Sequence, residues 1–210
     1  MDESGLRERK KRETRQRISN VATSLFSARG FDNVTVAEVA EAANVSKMTV
    51  FNYFPRKEEL FFDRNEEAIE LLYGAIRNRA PGESVVNALR ALLLRLAEQR
   101  HPLSGLRDGV TAFWQIVLDS PTLRTSALEM ISQSEDQLAA ELAEISGRTP
   151  ADPLPALAAA LITSTIQALY RHVLHRMMAG ESADDLYPGQ IALVNKAFDM
   201  LDAAIGDQLG

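Results

Sequence analysis

Apolar residues recur along this chain at intervals of three and four, and no stretch alternates as a strand would, so the pattern predicts helices throughout and no sheet. A first helix is predicted over 10–29, with Ile18, Val21, Ala22, Leu25 and Phe26 on its buried side and Gly30 as its stop. A second opens at Thr35, where Thr35 and Glu38 have the spacing of a capping box. Its inner stripe is Val36, Val39, Ala40 and Ala43. After a turn at Asn44 and Val45, Ser46 caps a third helix. That helix ends before Pro55, because the residue ahead of a proline avoids the helical region. Residues 1 to about 8 are expected to lack fixed structure.

Further on, the pattern predicts one long amphipathic helix over 56–79, with Phe62, Ile69, Leu72, Tyr73 and Ile76 on one side. Helices follow over 83–100, 103–119, 122–145, 153–179 and 190–205, with loops over 146–155 and 180–189. The helix over 153–179 is apolar on most sides. In the last one, Ile191, Val194, Phe198, Leu201 and Ile205 form a narrow seam suited to packing on another helix, here taken as a partner's. The predicted fold is all-α with about nine helices. Residues 1–55 form a helix-turn-helix domain, and 56–210 a larger regulatory and dimerisation domain.

The segment 35–54, TVAEVAEAANVSKMTVFNYF, carries the chemistry. Two short capped helices joined by a tight turn are how a helix-turn-helix offers its second helix to the major groove. Phe26, Phe31, Phe51, Tyr53 and Phe54 are expected to close the small core. Lys47, Met48, Thr49 and Asn52 then face outward, with Tyr53 at the edge. Lysine offers a cation, threonine a hydroxyl and a methyl, and asparagine both a donor and an acceptor. Methionine can make only apolar contact. Thr35 lies at a helix start whose free amides suit a phosphate, and Lys57 opens the next helix within reach of a backbone. Residues 7–17, RERKKRETRQR, hold seven basic and two acidic side chains and read as an arm that enters a minor groove or tracks phosphates.

Charge agrees with this division. The chain carries −6 overall, but residues 1–60 hold 11 basic and 9 acidic side chains, and the remainder 12 and 20. This asymmetry is what a front that binds a polyanion would show, and equally what a basic tail on an acidic protein would show. The absence of cysteine excludes disulfides and thiolate metal sites. No run reaches the ~18 apolar residues of a membrane span, and no apolar stretch follows the charged start as a secretory signal would. The expected setting is cytoplasmic, without a membrane partner.

Residues 14–62 resemble the DNA-binding domain of TetR-family transcriptional regulators, through the order RGF, then TV..VA..A.VSK.T...YF..KEEL. The resemblance covers roughly a quarter of the chain. It implies an all-helical homodimer with a three-helix DNA-binding head, and a C-terminal domain that binds a small molecule. Most members are repressors released from palindromic operators by ligand. Positions matching Thr35, Lys47, Thr49, Tyr53 and Lys57 commonly touch phosphate or bases, and Ser46, also taken as a DNA-binding residue, caps the helix that carries Lys47, Thr49 and Tyr53. Asn52 stands where a histidine is common. Four positions depart from the pattern. Asn44 replaces a turn glycine but tolerates left-handed geometry. Met48 replaces a small residue, Phe51 a tyrosine with its phosphate donor, and Arg56 a serine cap worth ~1 kcal/mol.

The resemblance also implies that the last two helices build the dimer. A ligand pocket is expected to be lined by Tyr73, Phe113, Trp114, Gln115, Met130, Gln167, Tyr170 and Arg171, since aromatics give contact area and a few polar groups give orientation. His101, His172 and His175 lack the accompanying ligands of a metal site. Neither a metal nor a cofactor is expected. No phosphate loop, GxSxG or HExxH occurs, so no enzyme is expected. The open alternative is a DNA-binding regulator without a small-molecule effector.

Overall fold

In the computed structural model, which describes residues 3–149 and 151–208, the chain is all-α. Ten α-helices and two 3-10 turns are present among the described residues: α1 (Glu3–Arg29), α2 (Val36–Ala42), α3 (Lys47–Tyr53), α4 (Lys57–Phe61), α5 (Asn65–Arg77), α6 (Val85–Glu98), α7 (Val110–Asp119), α8 (Pro121–Ile145), α9 (Leu154–Met178) and α10 (Ala183–Ile205). The 3-10 turns are Pro102–Ser104 and Gly206–Gln208.

Three expectations about the elements are corrected. First, α1 begins at Glu3, not near residue 10, so residues expected to lack structure continue the helix. Their Arg, Lys and Glu content favours helix, and Arg9 pairs with Glu13 one turn on at 3.6 Å. Residues 1 and 2 lie outside the described residues. Second, the single helix expected over 56–79 is two. Phe62 leaves helical geometry (φ −93°, ψ 38°) with its N–H on the Glu58 carbonyl, and Asn65 restarts the chain with its N–H on the Phe62 carbonyl at 2.9 Å. The break turns Phe62 against Phe61 and Phe113, and lets Asp63 accept from the Ser19 hydroxyl. Third, α10 starts at residue 183, inside the expected loop. Ser182 accepts the Asp185 N–H at 3.1 Å, Asp184 and Asp185 occupy the positive end, and burial of Ala183 and Leu186 outweighs the bond lost at Pro188.

The helices gather into two compact units, Met1–Asn65 with Ala112–Ser126, and Glu66–Thr111 with Ala127–Gly210. The first unit thus runs on past residue 55 to Asn65 and takes in residues 112–126. Leu60 and Phe61 complete the core of the first unit, and so do Val117 and Leu123 from far along the chain.

The first unit is held by Ile18, Ala22 and Phe26 of α1, closed by Phe31, Val34, Val39, Ala40, Val50, Phe54 and Leu60. Phe61 stacks on Phe113 (centroids 4.6 Å, 21° between planes), and Phe113 meets Trp114 edge-on at 5.7 Å. The Ser120 hydroxyl donates to Asp32 at 3.1 Å and accepts the Leu123 N–H, so it fixes the start of α8 and ties it to the α1–α2 turn.

In the second unit, α10 packs on α6 and α9. The seam Val194, Phe198, Leu201 and Ile205 is buried within the unit, against Val86, Leu89, Ala159 and Ile162. The partner-facing role expected for that seam is therefore corrected: a 3-4 apolar spacing reports burial against some helix, and here those helices belong to the same chain. Arg77 donates twice to buried Glu141, at 2.6 and 2.5 Å, and the Ser84 hydroxyl reaches Asp202 at 2.9 Å. No helix among the described residues is long and apolar enough to cross a membrane.

Candidate nucleic-acid interface

Local chemistry fixes both helices of the motif. At α2, the Glu38 N–H donates to the Thr35 hydroxyl at 3.3 Å, while Glu38 Oε2 accepts both the Thr35 N–H and its hydroxyl at 2.7 Å. The capping box is complete, and Arg29 closes on the same carboxylate at 2.7 Å. The Thr35 amide drives the Glu38 pKa down from 4.5 to about 2, helped by the Thr35 hydroxyl and Arg29. Because the folded value lies below the ordinary one, the cap contributes fully above about pH 4.5 and is lost as pH falls toward 2. Glu38→Gln is accordingly expected to lower the melting temperature at pH 6, with the gap to the native protein closing between pH 4.5 and 2. Thermal melts of both proteins across that range check it.

The turn between the helices places Asn44 at φ +52°, the left-handed geometry that asparagine tolerates. Ser46 then accepts the Thr49 N–H at 3.0 Å and shares a 2.7 Å hydrogen bond with the Thr49 hydroxyl. The Ser46 and Thr49 hydroxyls, expected at DNA, are thus already engaged in holding the first turn of α3.

Val50 is fully buried beneath α3, and Tyr53 packs partly against the same core. Lys47, Met48, Phe51 and Asn52 are exposed, and Thr49 is half-exposed. Phe51 was expected in the core; it is 39% exposed instead, beside exposed Lys47, Met48 and Asn52, while Val50 and Phe54 take the inward positions. Phe61 of α4 joins the core of the head instead.

Lys57 opens α4 as expected, but its ammonium is committed inward. It donates to the Phe31 carbonyl at 2.7 Å and lies 4.0 Å from the Phe31 ring centroid and 5.8 Å from that of Phe26. Burial pushes its pKa down, opposed by Asp32, Glu58 and Glu38. Arg56 stands at the α4 N-cap with no side-chain cap bond, and pairs with Glu58 at 3.5 Å. The basic run belongs to α1, with Arg7, Arg9, Lys10, Lys11, Arg12 and Arg17 exposed and Arg15 over the Phe54 ring at 4.4 Å. A helix is about 10–12 Å across and a minor groove about 6 Å wide. The body of such a helix is too wide to enter a minor groove, so any contact from this run is through its side chains.

The expected ligand-lining residues divide between the units. Phe113 and Trp114 belong to the core of the first, and the Gln115 amide donates to Asp119 at 2.9 Å on its surface. Tyr73, Met130, Gln167, Tyr170 and Arg171 belong to the second. There Tyr73 lies 5.7 Å from the Arg77 guanidinium, and Tyr170 lies so close to Gly105 that a Cβ would come within 2.9 Å of its ring. Gln190, unremarked in the sequence, is buried on α10: its Nε2 donates to the Leu169 carbonyl at 3.3 Å, and its Oε1 has no partner among the described residues. Its signal was a polar residue in register with Leu186 and Val194. Among the described residues, no group of three side chains could hold a metal ion.

A capped helix with one polar, cationic and apolar outward face, set by a tight turn on a three-helix core, defines a helix-turn-helix DNA-binding protein. The family profile described as bacterial regulatory proteins, tetR family, matches residues 18–63, and that described as MftR C-terminal domain matches residues 79–196. The transcriptional regulator TcmR of Streptomyces glaucescens is 33% identical over 149 residues, 68% of this chain and 65% of its own length, so the match spans just under two thirds of that relative. The MftR regulator of Mycobacterium tuberculosis, named for mycofactocin biosynthesis, is 26% identical over 168 residues, 79% of this chain and 82% of its own. Native NalD, the secondary repressor of the MexAB-OprM multidrug efflux pump in Pseudomonas aeruginosa, shares the fold with a TM-score of 0.56 at 18% identity, over 89% of this chain and 97% of its own. The chain belongs to the TetR family of bacterial transcriptional regulators.

Proposed function

We propose that this regulator is a cytoplasmic homodimeric repressor that binds a palindromic operator through α3 and leaves it when a small organic molecule binds the second unit. The observation that carries the reading is the outward face of α3, with Lys47 and Asn52 exposed on a helix whose opposite side is anchored by Val50. One seven-residue helix reaches few base pairs. A two-fold pair doubles the contacts and matches a palindrome.

Exposed apolar side chains support pairing through α9 and α10. Leu157 and Leu161 are 58% and 45% exposed one turn apart, continued along the same side of α9 by exposed Ser164 and Ala168, and α10 exposes Met200. For the effector, Tyr73, Met130, Gln167, Tyr170 and Arg171 remain the proposed lining, with the Gln190 amide as a polar anchor. Phe113 and Trp114 are better explained by the head's own core.

Sedimentation and nuclease footprinting on a selected DNA fragment test this reading, followed by thermal-shift screening of small molecules. The expected results are a dimer, a footprint with two-fold symmetry, and loss of the footprint with any compound that raises the melting temperature. A monomer with an asymmetric footprint would contradict the dimeric reading. A symmetric footprint that no binding compound disturbs would favour a regulator without a small-molecule effector.

A further inference from the structure

We propose that Met48 and Phe51 read the methyl groups of thymine, so that each half of the DNA sequence this protein selects carries thymines at neighbouring base pairs. The inference rests on the assignment of α3 as the DNA-reading helix. It begins from an anomaly of exposure: Met48 is 69% and Phe51 39% exposed, and neither joins the apolar cluster around Phe26 and Val50. They are three residues apart, hence neighbours on one helix face, and exposed Lys47 and Asn52 flank them on the same face.

The exposed parts of these two large apolar side chains face water in the free protein. They gain where water is removed from them. On the major-groove edges of base pairs, the one apolar group is the thymine C5 methyl; the other groups are hydrogen-bond donors and acceptors. Neither a thioether nor a phenyl ring can satisfy those groups, and burying them without partners is penalised. The pair therefore favours T·A over C·G, where the cytosine amine would lose its water. Methionine suits this task because its three rotatable bonds let sulfur and methyl settle against an irregular surface.

Spacing fits as well. Three residues advance about 4.5 Å along a helix axis, against about 3.4 Å per base pair, so the two side chains reach adjacent steps. Lys47 and Asn52, at the two ends of the face, remain for phosphate and for polar base edges.

The test begins with selection from a random-sequence duplex library by the full-length protein. Each thymine of the selected half-site is then replaced by deoxyuridine, which removes the methyl and nothing else. The native protein is expected to lose affinity about fourfold per methyl that Met48 or Phe51 covers, the equivalent of one buried methylene-sized group. The double variant Met48→Ala with Phe51→Ala is expected to bind thymine and deoxyuridine duplexes alike. Both side chains are exposed, so circular dichroism should show an unchanged fold.

Equal affinity of the native protein for both duplexes overturns the inference. A deoxyuridine penalty of full size in the double variant overturns it too. Failure of the library to enrich any sequence would overturn the assignment of α3 itself, which is a different result from enrichment without methyl dependence.

Discussion

Replacing Phe26 with alanine is expected to destabilise the first unit by about 3–5 kcal/mol, the usual cost of deleting a fully buried phenylalanine. Phe26 has no exposed surface, and its ring lies 5.0 Å from that of Phe31 and 6.0 Å from that of Phe61. The Lys57 ammonium lies 5.8 Å from it as well. All of these neighbours are held by other elements of the unit, so the cavity cannot close without moving α2 or α4. Domains of this kind are stable by only about 5–15 kcal/mol, so the variant is left with a small margin at best. Trp114 is the single tryptophan and packs against this core, so its fluorescence follows this unit through a urea titration. A midpoint within error of the native one would show that Phe26 does not bear on the core as described.

The second large effect separates two lysines that look alike in the sequence. Lys47→Ala is expected to weaken DNA binding and to lower the slope of log affinity against log salt by about one per protomer, the signature of a lost phosphate contact. Lys57→Met is expected to leave that slope unchanged. Its ammonium is already spent on the Phe31 carbonyl at 2.7 Å and on the Phe31 ring. The loss should appear as reduced stability of the first unit, by about 1.5–3 kcal/mol for a charged hydrogen bond. Salt titrations of binding and urea melts of both variants measure the four quantities. A slope that falls with Lys57→Met and holds with Lys47→Ala would reverse the two roles.

What the sequence revealed and what it hid follow one physical division. The helix-turn-helix was legible because its determinants are local: Thr35 and Glu38 are three residues apart, as are Ser46 and Thr49, and Asn44 alone sets the turn. The break after α4 was not legible, because apolar spacing runs on through Phe62 into α5. What stops the helix is contact with Phe113 and the bond between Asp63 and Ser19, both remote in sequence. The start of α10 was hidden by Tyr187, Pro188 and Gly189, which read as a loop until the Ser182 cap and the burial of Leu186 are seen together. Phe51 misled through its type: an aromatic near a core is usually inside it, and only the position of Val50 shows that this one is not. The ligand-lining set suffered similarly, since Phe113 and Trp114 serve the aromatic cluster of the head.

The central claim is that the exposed face of α3 lies against a DNA duplex. The chain contains no cysteine, so Asn52→Cys offers a unique point to attach a DNA-cleaving iron chelate. With protein saturating a selected fragment, strand cuts are expected at two places only, one in each half of the footprint and related by its two-fold axis. A fragment that is fully bound yet uncut from position 52 would contradict the account.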